Sequence, residues 1–357
     1  MFSLFSISGV LLLYFHSFFT NPVVETSLTL ADSIYLKKRI VFYNVENLFY
    51  PGNDSLKQDD DFTPSGSYHW TFRRYLEKLN KLAQVIISLS EAGKPAMIGL
   101  CEIENRRTLD DLNKRTLLKY FGYRIIHQES NDPRGIDVAL LYDPVIFVPE
   151  SYSSIEIFMK EKEKLLTRSI LKVTGIFFGK HRCHIFVNHW PSRRGGQKAS
   201  EPRRILVASH LKREVDRIYA EESIPNILIM GDFNDEPVDK SLQKVLQAYE
   251  FKVRTKDTGK LFNVMFDHYR RGNGSHFRKN NFYESSMIDQ FIVSAAIMKG
   301  NNGMKIVNHK TGIYIRDFLM DEKNGTPLRS YQGLKYLGGF SDHFPVFIEI
   351  NFTDVDE

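Results

Sequence analysis

Short apolar runs that stop abruptly at carboxylate, amide or imidazole residues recur along this chain. That punctuation constrains its fold more than any other feature. Residues 39–44 form an apolar run rich in β-formers, followed by Asn44 and Glu46. Residues 96–101 form another, followed by Glu102 and Glu104. Residues 184–187 lead into Asn188-His189, and 226–230 end at Gly231-Asp232-Phe233-Asn234. Residues 123–127, 138–142, 170–178, 288–293 and 346–350 complete the set. Runs of this length, with β-branched and aromatic side chains, read as buried strands. Helical spacing occurs at 72–89, where Leu76, Leu79, Leu82, Val85, Ile86 and Leu89 recur. Further helices are expected at 109–120, 203–219 and 239–249. Strands often follow one another with no helix between, so the pattern predicts an α/β fold with two packed mixed sheets and helices outside. No composition shift or repeat marks a second domain, and residues 32–357 are expected to form one.

Polar groups at these strand mouths carry the chemistry. Asp289 lies inside the run Met287-Ile288-Asp289-Gln290-Phe291-Ile292. A carboxylate there is costly unless it has a specific partner or faces a wet cleft. Asp137, opening the strand after Arg134-Gly135-Ile136, poses the same problem. Asp342 and His343 stand side by side before the last strand, a pair able to bind a hard cation and move a proton. If the strand ends share one edge, Asn44, Glu102, Asp137, His189, Asp232, Asn234, Asp289, Asp342 and His343 converge on one pocket. Taken singly, Asn188-His189 reads as a turn and Asp232 as a helix cap; the joint occurrence points to metal-assisted hydrolysis of a phosphate ester. Glu46 and Glu104 are expected to be supporting or surface groups.

Composition narrows the partners. Oxygen-rich ligands suit Mg²⁺, Mn²⁺ or Ca²⁺, and the two distant cysteines, Cys101 and Cys183, argue against structural zinc. Both lie in apolar strands and are expected as reduced core thiols. The net charge of +5 is compatible with an anionic substrate, and no run of like charge suggests a nucleic-acid-binding tail. Arg193 and Arg194, just after His189, can reach flanking phosphates or lie in a solvated loop. The polar stretch 254–286 reads equally as a basic, aromatic loop for a polyanion or as a solvated insertion.

Residues 1–31 are apolar, with Glu25 their only charged residue, and resemble a secretory signal with cleavage after Ala31. No Lys or Arg precedes Lys37, so the basic n-region is missing; an uncleaved anchor or a misassigned start are the alternatives. An exported protein is expected.

Together these stretches resemble the endonuclease/exonuclease/phosphatase superfamily, which includes pancreatic-type deoxyribonuclease, neutral sphingomyelinases and inositol polyphosphate phosphatases. The matching stretches are FYNVENLF from Phe42, GLCEIEN from Gly99, RGIDVALLYD from Arg134, VNHWPSRRGG from Val187, MGDFNDEP from Met230, MIDQFIVS from Met287 and GGFSDHFPV from Gly338. They look most like a bacterial, often exported, nuclease-like branch. The resemblance implies a four-layer α/β/β/α sandwich. It also implies Glu102 as principal metal ligand, helped by Asn44 and Asp342. His343, held by Asp289, is implied as base or phosphate-polarising group, and Asp232 as orienting the attacking water or binding a second metal. The resemblance further implies that Asn234 holds a phosphoryl oxygen, that Asp137 orients the ring of His189 against the scissile phosphate, and that Arg134 positions substrate. The expected activity is Mg²⁺- or Mn²⁺-dependent cleavage of DNA or RNA, with a lipid or small phosphoester as the alternative substrate. A monomer without an obligate protein partner is expected.

Overall fold

The computed structural model describes residues 37–159, 163–251, 260–279 and 283–353. The expected signal segment lies outside them. In chain order the first half runs β1 (Lys37–Leu48), α1 (Phe72–Ser88), β2 (Met97–Ile103), α2 (Arg106–Arg115), β3 (Arg124–His127), β4 (Asp137–Tyr142), β5 (Phe147–Ile155), β6 (Ile170–Phe177), β7 (His181–His189) and α3 (Gln197–Glu221). Then follow β8 (Ile227–Asp232), β9 (Ala248–Tyr249), β10 (Leu261–Asn263), α4 (Phe266–Arg270), β11 (His276–Lys279), β12 (Tyr283–Ser286), β13 (Asp289–Ser294), α5 (Ala295–Lys299), β14 (Met304–Ile313), β15 (Tyr331–Gln332), β16 (Lys335–Tyr336) and β17 (Val346–Phe352).

Two mixed sheets result. One has the order β14-β17-β1-β2-β4-β3 and the other β5-β6-β7-β8-β13-β10-β9. In the first, β1 and β2 are parallel and flanked by antiparallel partners. In the second, β7 and β8 are parallel and β13 runs antiparallel to β8. The sheets face one another so closely that a Cβ on Gly99 of β2 would stand 2.6 Å from Met230 Sδ of β8. On the outer face of the first sheet, α1 packs Tyr75, Leu79, Leu82, Val85 and Ile86 against Val41, Tyr43, Ile98 and Leu100. That apolar stripe is worth roughly 1.5–3 kcal/mol per buried large side chain. Thr71 starts α1 by accepting a hydrogen bond from Arg74 N. On the far face, α3 lays Val207, Leu211, Val215 and Ile218 over Phe186, Ile227 and Ile229. The four-layer arrangement of helix, sheet, sheet and helix is the expected one.

The differences are local. The helix expected at 109–120 begins three residues earlier, where Asn105 Oδ1 accepts from Thr108 N, and ends at extended Thr116 before a 3-10 turn. The helix expected at 239–249 is one π-wound turn, Ser241–Leu246, stopped by left-handed Gln247; the chain then joins the sheet as β9. The stretch 254–286 is not a plain loop: it contributes β10, α4 and the β11–β12 hairpin, while residues 252–259 and 280–282 lie outside the described residues.

Candidate active site

Strand direction gathers the polar groups. Asn44, Glu102, His189 and Asp232 stand at or near the C-terminal ends of the parallel strands β1, β2, β7 and β8. Asp289 opens antiparallel β13, and Asp342-His343 precede antiparallel β17, so both fall on the same edge. Asp289 is directly opposite Asp232, and His189 is opposite Asp232 on its other side. Gly231 makes this possible. A Cβ there would lie 2.5 Å from the backbone oxygen of Asn188, so only glycine lets β8 run this close to β7 at the site.

Two bulges turn the acidic side chains inward. The β1–β2 register breaks after Asn44, with Glu46 and Asn47 at positive φ (52° and 51°). The β2–β4 register breaks at Glu102, whose φ is 64°. Non-glycine residues held in this region carry strain that the surrounding structure must offset, and bulges of this kind re-aim a side chain beside a functional site. Here the bulges put Glu102 Oε2 under Asn47 N at 2.8 Å and Glu102 Oε1 near His189 Nε2 at 3.9 Å.

His343 is the most tightly held ring. Its Nδ1 is 2.6 Å from Asp289 Oδ2, and Ser275 Oγ donates to that same oxygen at 2.5 Å. Ser341 Oγ accepts from His343 N and donates to Asn44 O, tying the loop to β1. Burial pulls the His343 imidazole toward neutrality, but Asp289, Asp342 and Asp232 together outweigh it and raise the ring to about 10. Its Nε2 lies 3.4 Å from Asn44 Nδ2, 3.8 Å from Asp342 Oδ1 and 4.0 Å from Asp232 Oδ2. His189 is the opposite case. Burial, then Arg168 and Arg134, hold it well below the usual histidine range, and its Nδ1 is buried without a hydrogen-bond partner. Asp232 sits between the rings, 3.8 Å from His189 Nε2. Burial and the neighbouring Asp289 push its carboxyl up to about 7. Two titratable rings driven apart in this way divide proton-holding from proton-lacking roles.

The remaining expected residues fall in three groups. Asn234, at φ 49°, donates Nδ2 to Trp190 O and its backbone N–H to Asp232 Oδ1, and it lines the cavity. Arg134 and Arg194 lie at the cavity rim, while Arg193 is largely spent on Asn234 O and Asp239. Two expectations are corrected. Asn44 does not turn its oxygen to the site: Oδ1 accepts from Glu46 N, and Nδ2 donates to Asp232 Oδ2 at 3.1 Å and Glu102 Oε1 at 3.3 Å. It is a clasp between carboxylates, because the bulge places Glu46 N beside its oxygen. Asp137 does not orient His189. It opens β4 next to the end of β3 and pairs with His127 Nε2 at 3.2 Å and Ser130 N at 2.9 Å.

Several residues escaped the sequence reading. Ser275 and His276 come from the polar stretch, and the His276 ring lies tilted 4.7 Å from the His343 ring. Arg168 reaches the cavity while donating to Asp132 and Trp190 O; its place just ahead of the apolar run at Ile170 was the signal available. Glu46 is no surface group. It is buried against Lys78, whose Nζ lies 3.7 Å away and donates to Ser330 Oγ and Phe340 O. Glu104 is buried as well and accepts from Tyr50 N. The whole forms a cavity of about 410 Å³ with an acidic floor of Glu102, Asp232 and Asp342 and a rim of Arg134, Arg168, Arg193, Arg194 and Arg278.

A family model described as the Endonuclease/Exonuclease/phosphatase family matches residues 39–352. The chain belongs to that family. TDP2 from C. elegans is 14% identical over 94% of this chain and 82% of its own, with a TM-score of 0.54. D. rerio TDP2 complexed with single strand DNA product is 14% identical, covering 88% of this chain and 99% of its own, at TM-score 0.53. The human Nocturnin catalytic domain with bound sulfate anion is also 14% identical, over 89% of this chain and 94% of its own, at TM-score 0.53. Likeness at this identity establishes the shared fold. No curated protein matches the chain. Family membership accounts for the two packed sheets.

Proposed function

We propose that this chain is a divalent-metal-dependent phosphodiesterase that cleaves nucleic acid strands. The observation that carries the reading is the pairing of an acidic floor with an arginine rim in one cavity. A hard cation fits the floor. Asp342 accepts no hydrogen bond among the described residues, and its side chain remains 25% exposed toward the cavity. Glu102, Asp342 and Asp232 line the same cavity and offer oxygen donors. Mg²⁺ or Mn²⁺, with Ca²⁺ as a third candidate, would be held by Glu102 and Asp342. Such an ion supplies charge stabilisation at the phosphate oxygens.

The chain's own groups supply the rest. Asp289 keeps His343 oriented, so that Nε2–H can donate to a phosphoryl oxygen; His343 acts as a polarising group rather than a base. Asp232 orients the attacking water. Asn234 and neutral His189 contact the phosphoryl and leaving oxygens. Arg134 and Arg194 bind phosphates beside the scissile one. Family members are phosphoester hydrolases, and the structure of the TDP2 relative holds a single strand DNA product. The test is a substrate panel of plasmid, single-stranded oligonucleotide, sphingomyelin and inositol phosphates with Mg²⁺, Mn²⁺ or Ca²⁺. It is run on wild type and His343→Ala. Nucleic acid cleavage that needs metal and is lost in the variant is expected; hydrolysis of the lipid or polyol esters alone would overturn the reading.

A further inference from the structure

A second cavity of about 380 Å³ adjoins the first and shares His276 and Arg278 with it; its far side includes Asn324, Thr326, Arg329 and Gln332. Its wall is the β11–β12 hairpin, fixed to the site by a bridge between His276 and His343 and by Phe344 N donating to Ser275 O. Alternation along β11 puts Arg278 on the same face as His276, while Phe277 packs against Phe344. The charges here are unbalanced. Neither Arg278 nor Arg329 has an ion pair or side-chain hydrogen bond among the described residues. Burial, and then Arg193 and Arg204, act against the charge of Arg278, and Glu236 favours it. The one acid lining the cavity, Asp321, is spent on its own turn, accepting from Lys323 N, Asn324 N and Asn324 Nδ2. Arg278, exposed on β11, and the partly buried Arg329, neither held by an ion pair among the described residues, line a cleft continuous with the candidate site and are arranged for a second phosphate.

We propose that this cavity is a subsite for the nucleotide flanking the scissile bond, with Arg278 and Arg329 holding its phosphate. The inference rests on the nuclease reading and deepens it. A cleft of this size admits one unpaired nucleotide and not a duplex, so the preferred substrate is a single strand extending beyond the cleaved bond. The test compares kcat/KM for a thymidine octanucleotide with that for bis(p-nitrophenyl) phosphate, in wild type, Arg329→Ala and Arg329→Lys, with thermal melts confirming folding. The octanucleotide-to-diester ratio should fall roughly tenfold in Arg329→Ala and recover in part in Arg329→Lys. The slope of log kcat/KM against log salt should shrink by about 0.7 for the lost phosphate contact. An unchanged ratio and slope in a wild type that does cleave the octanucleotide would overturn the subsite alone. A wild type that hydrolyses only the small diester would overturn the subsite and the nuclease reading together.

Discussion

Replacing Lys78 by Met should expose how the site's underside is held. Lys78 is buried in α1, with Glu46 as its charge partner at 3.7 Å and Ser330 Oγ and Phe340 O as its acceptors. Ser330 also donates its backbone N–H to Glu46 at 2.6 Å, so one ammonium ties the β1 bulge to the segment leading to Asp342. In the wild type, burial and Asp342 raise the Glu46 carboxyl, Lys78 opposes them, and the result is about 7. A folded-state pKa above the unfolded value means that the folded state binds the extra proton. Stability therefore falls with rising pH between the two values, and levels off once Glu46 is ionised and paired above about 7. Without Lys78 the folded pKa moves higher still, and the fall continues. Lys78→Met should thus cost about 1–3 kcal/mol at pH 6, from the acceptors left unsatisfied. A further loss approaching about 1.4 kcal/mol per pH unit should appear above pH 7. Denaturant unfolding at pH 6, 7, 8 and 8.5 with chelator present measures both parts. The double variant Lys78→Met/Glu46→Gln should keep the first part and lose the second. A Lys78→Met cost that does not change with pH would refute the reasoning, as would a double variant that retains the pH dependence.

Other consequences are simpler to check. Gly231→Ala forces a Cβ against the Asn188 backbone and should destabilise by about 1–3 kcal/mol in thermal or urea unfolding, with activity falling in parallel because His189 and Asp232 flank the clash. Ser275→Ala removes one hydrogen bond to Asp289 while leaving His343 its partner; hydrolysis should drop about tenfold or less, against roughly 10²–10³-fold for His343→Ala. His184 and His210 are both held below their ordinary values by burial. Their folded-state pKa is depressed, so the unfolded chain binds protons first and stability should decline as pH drops below about 6.5. His184→Gln should flatten that decline in melts between pH 7.5 and 5.

Much of this architecture was legible because strand mouths and buried carboxylates obey strong rules. Asp289 inside an apolar strand demanded a partner, and the partner is His343. Asp232 and Glu102 share a cavity because parallel β1–β2 and β7–β8 deliver their ends to one edge, and Asp342 joins them because β17 runs antiparallel to β1. What escaped the sequence depended on side-chain direction or on distant contacts. Nothing in the polar stretch distinguishes Ser275 from any loop serine until β11 is bridged to the last loop. Glu46 looked exposed at a strand end, but the bulge turns it down onto Lys78. Asp137 has the burial expected of a site carboxylate, yet diagonal pairing across β3 and β4 gives it His127. For Asn44, which end of the amide faces the cavity is decided by Glu46 N, a detail of bulge geometry that residue types alone do not encode.

The central claim is that oxygen donors on this edge hold a cation needed to cleave a phosphodiester strand. Cleavage of a single-stranded octanucleotide, titrated with Mg²⁺ and with Mn²⁺ after chelation, tests it directly in wild type and Glu102→Gln. The account predicts no cleavage without metal, saturable rescue in the wild type, and a metal requirement raised at least about tenfold in the variant. Cleavage that persists in chelator, or a Glu102→Gln variant with the wild-type metal dependence, would contradict it.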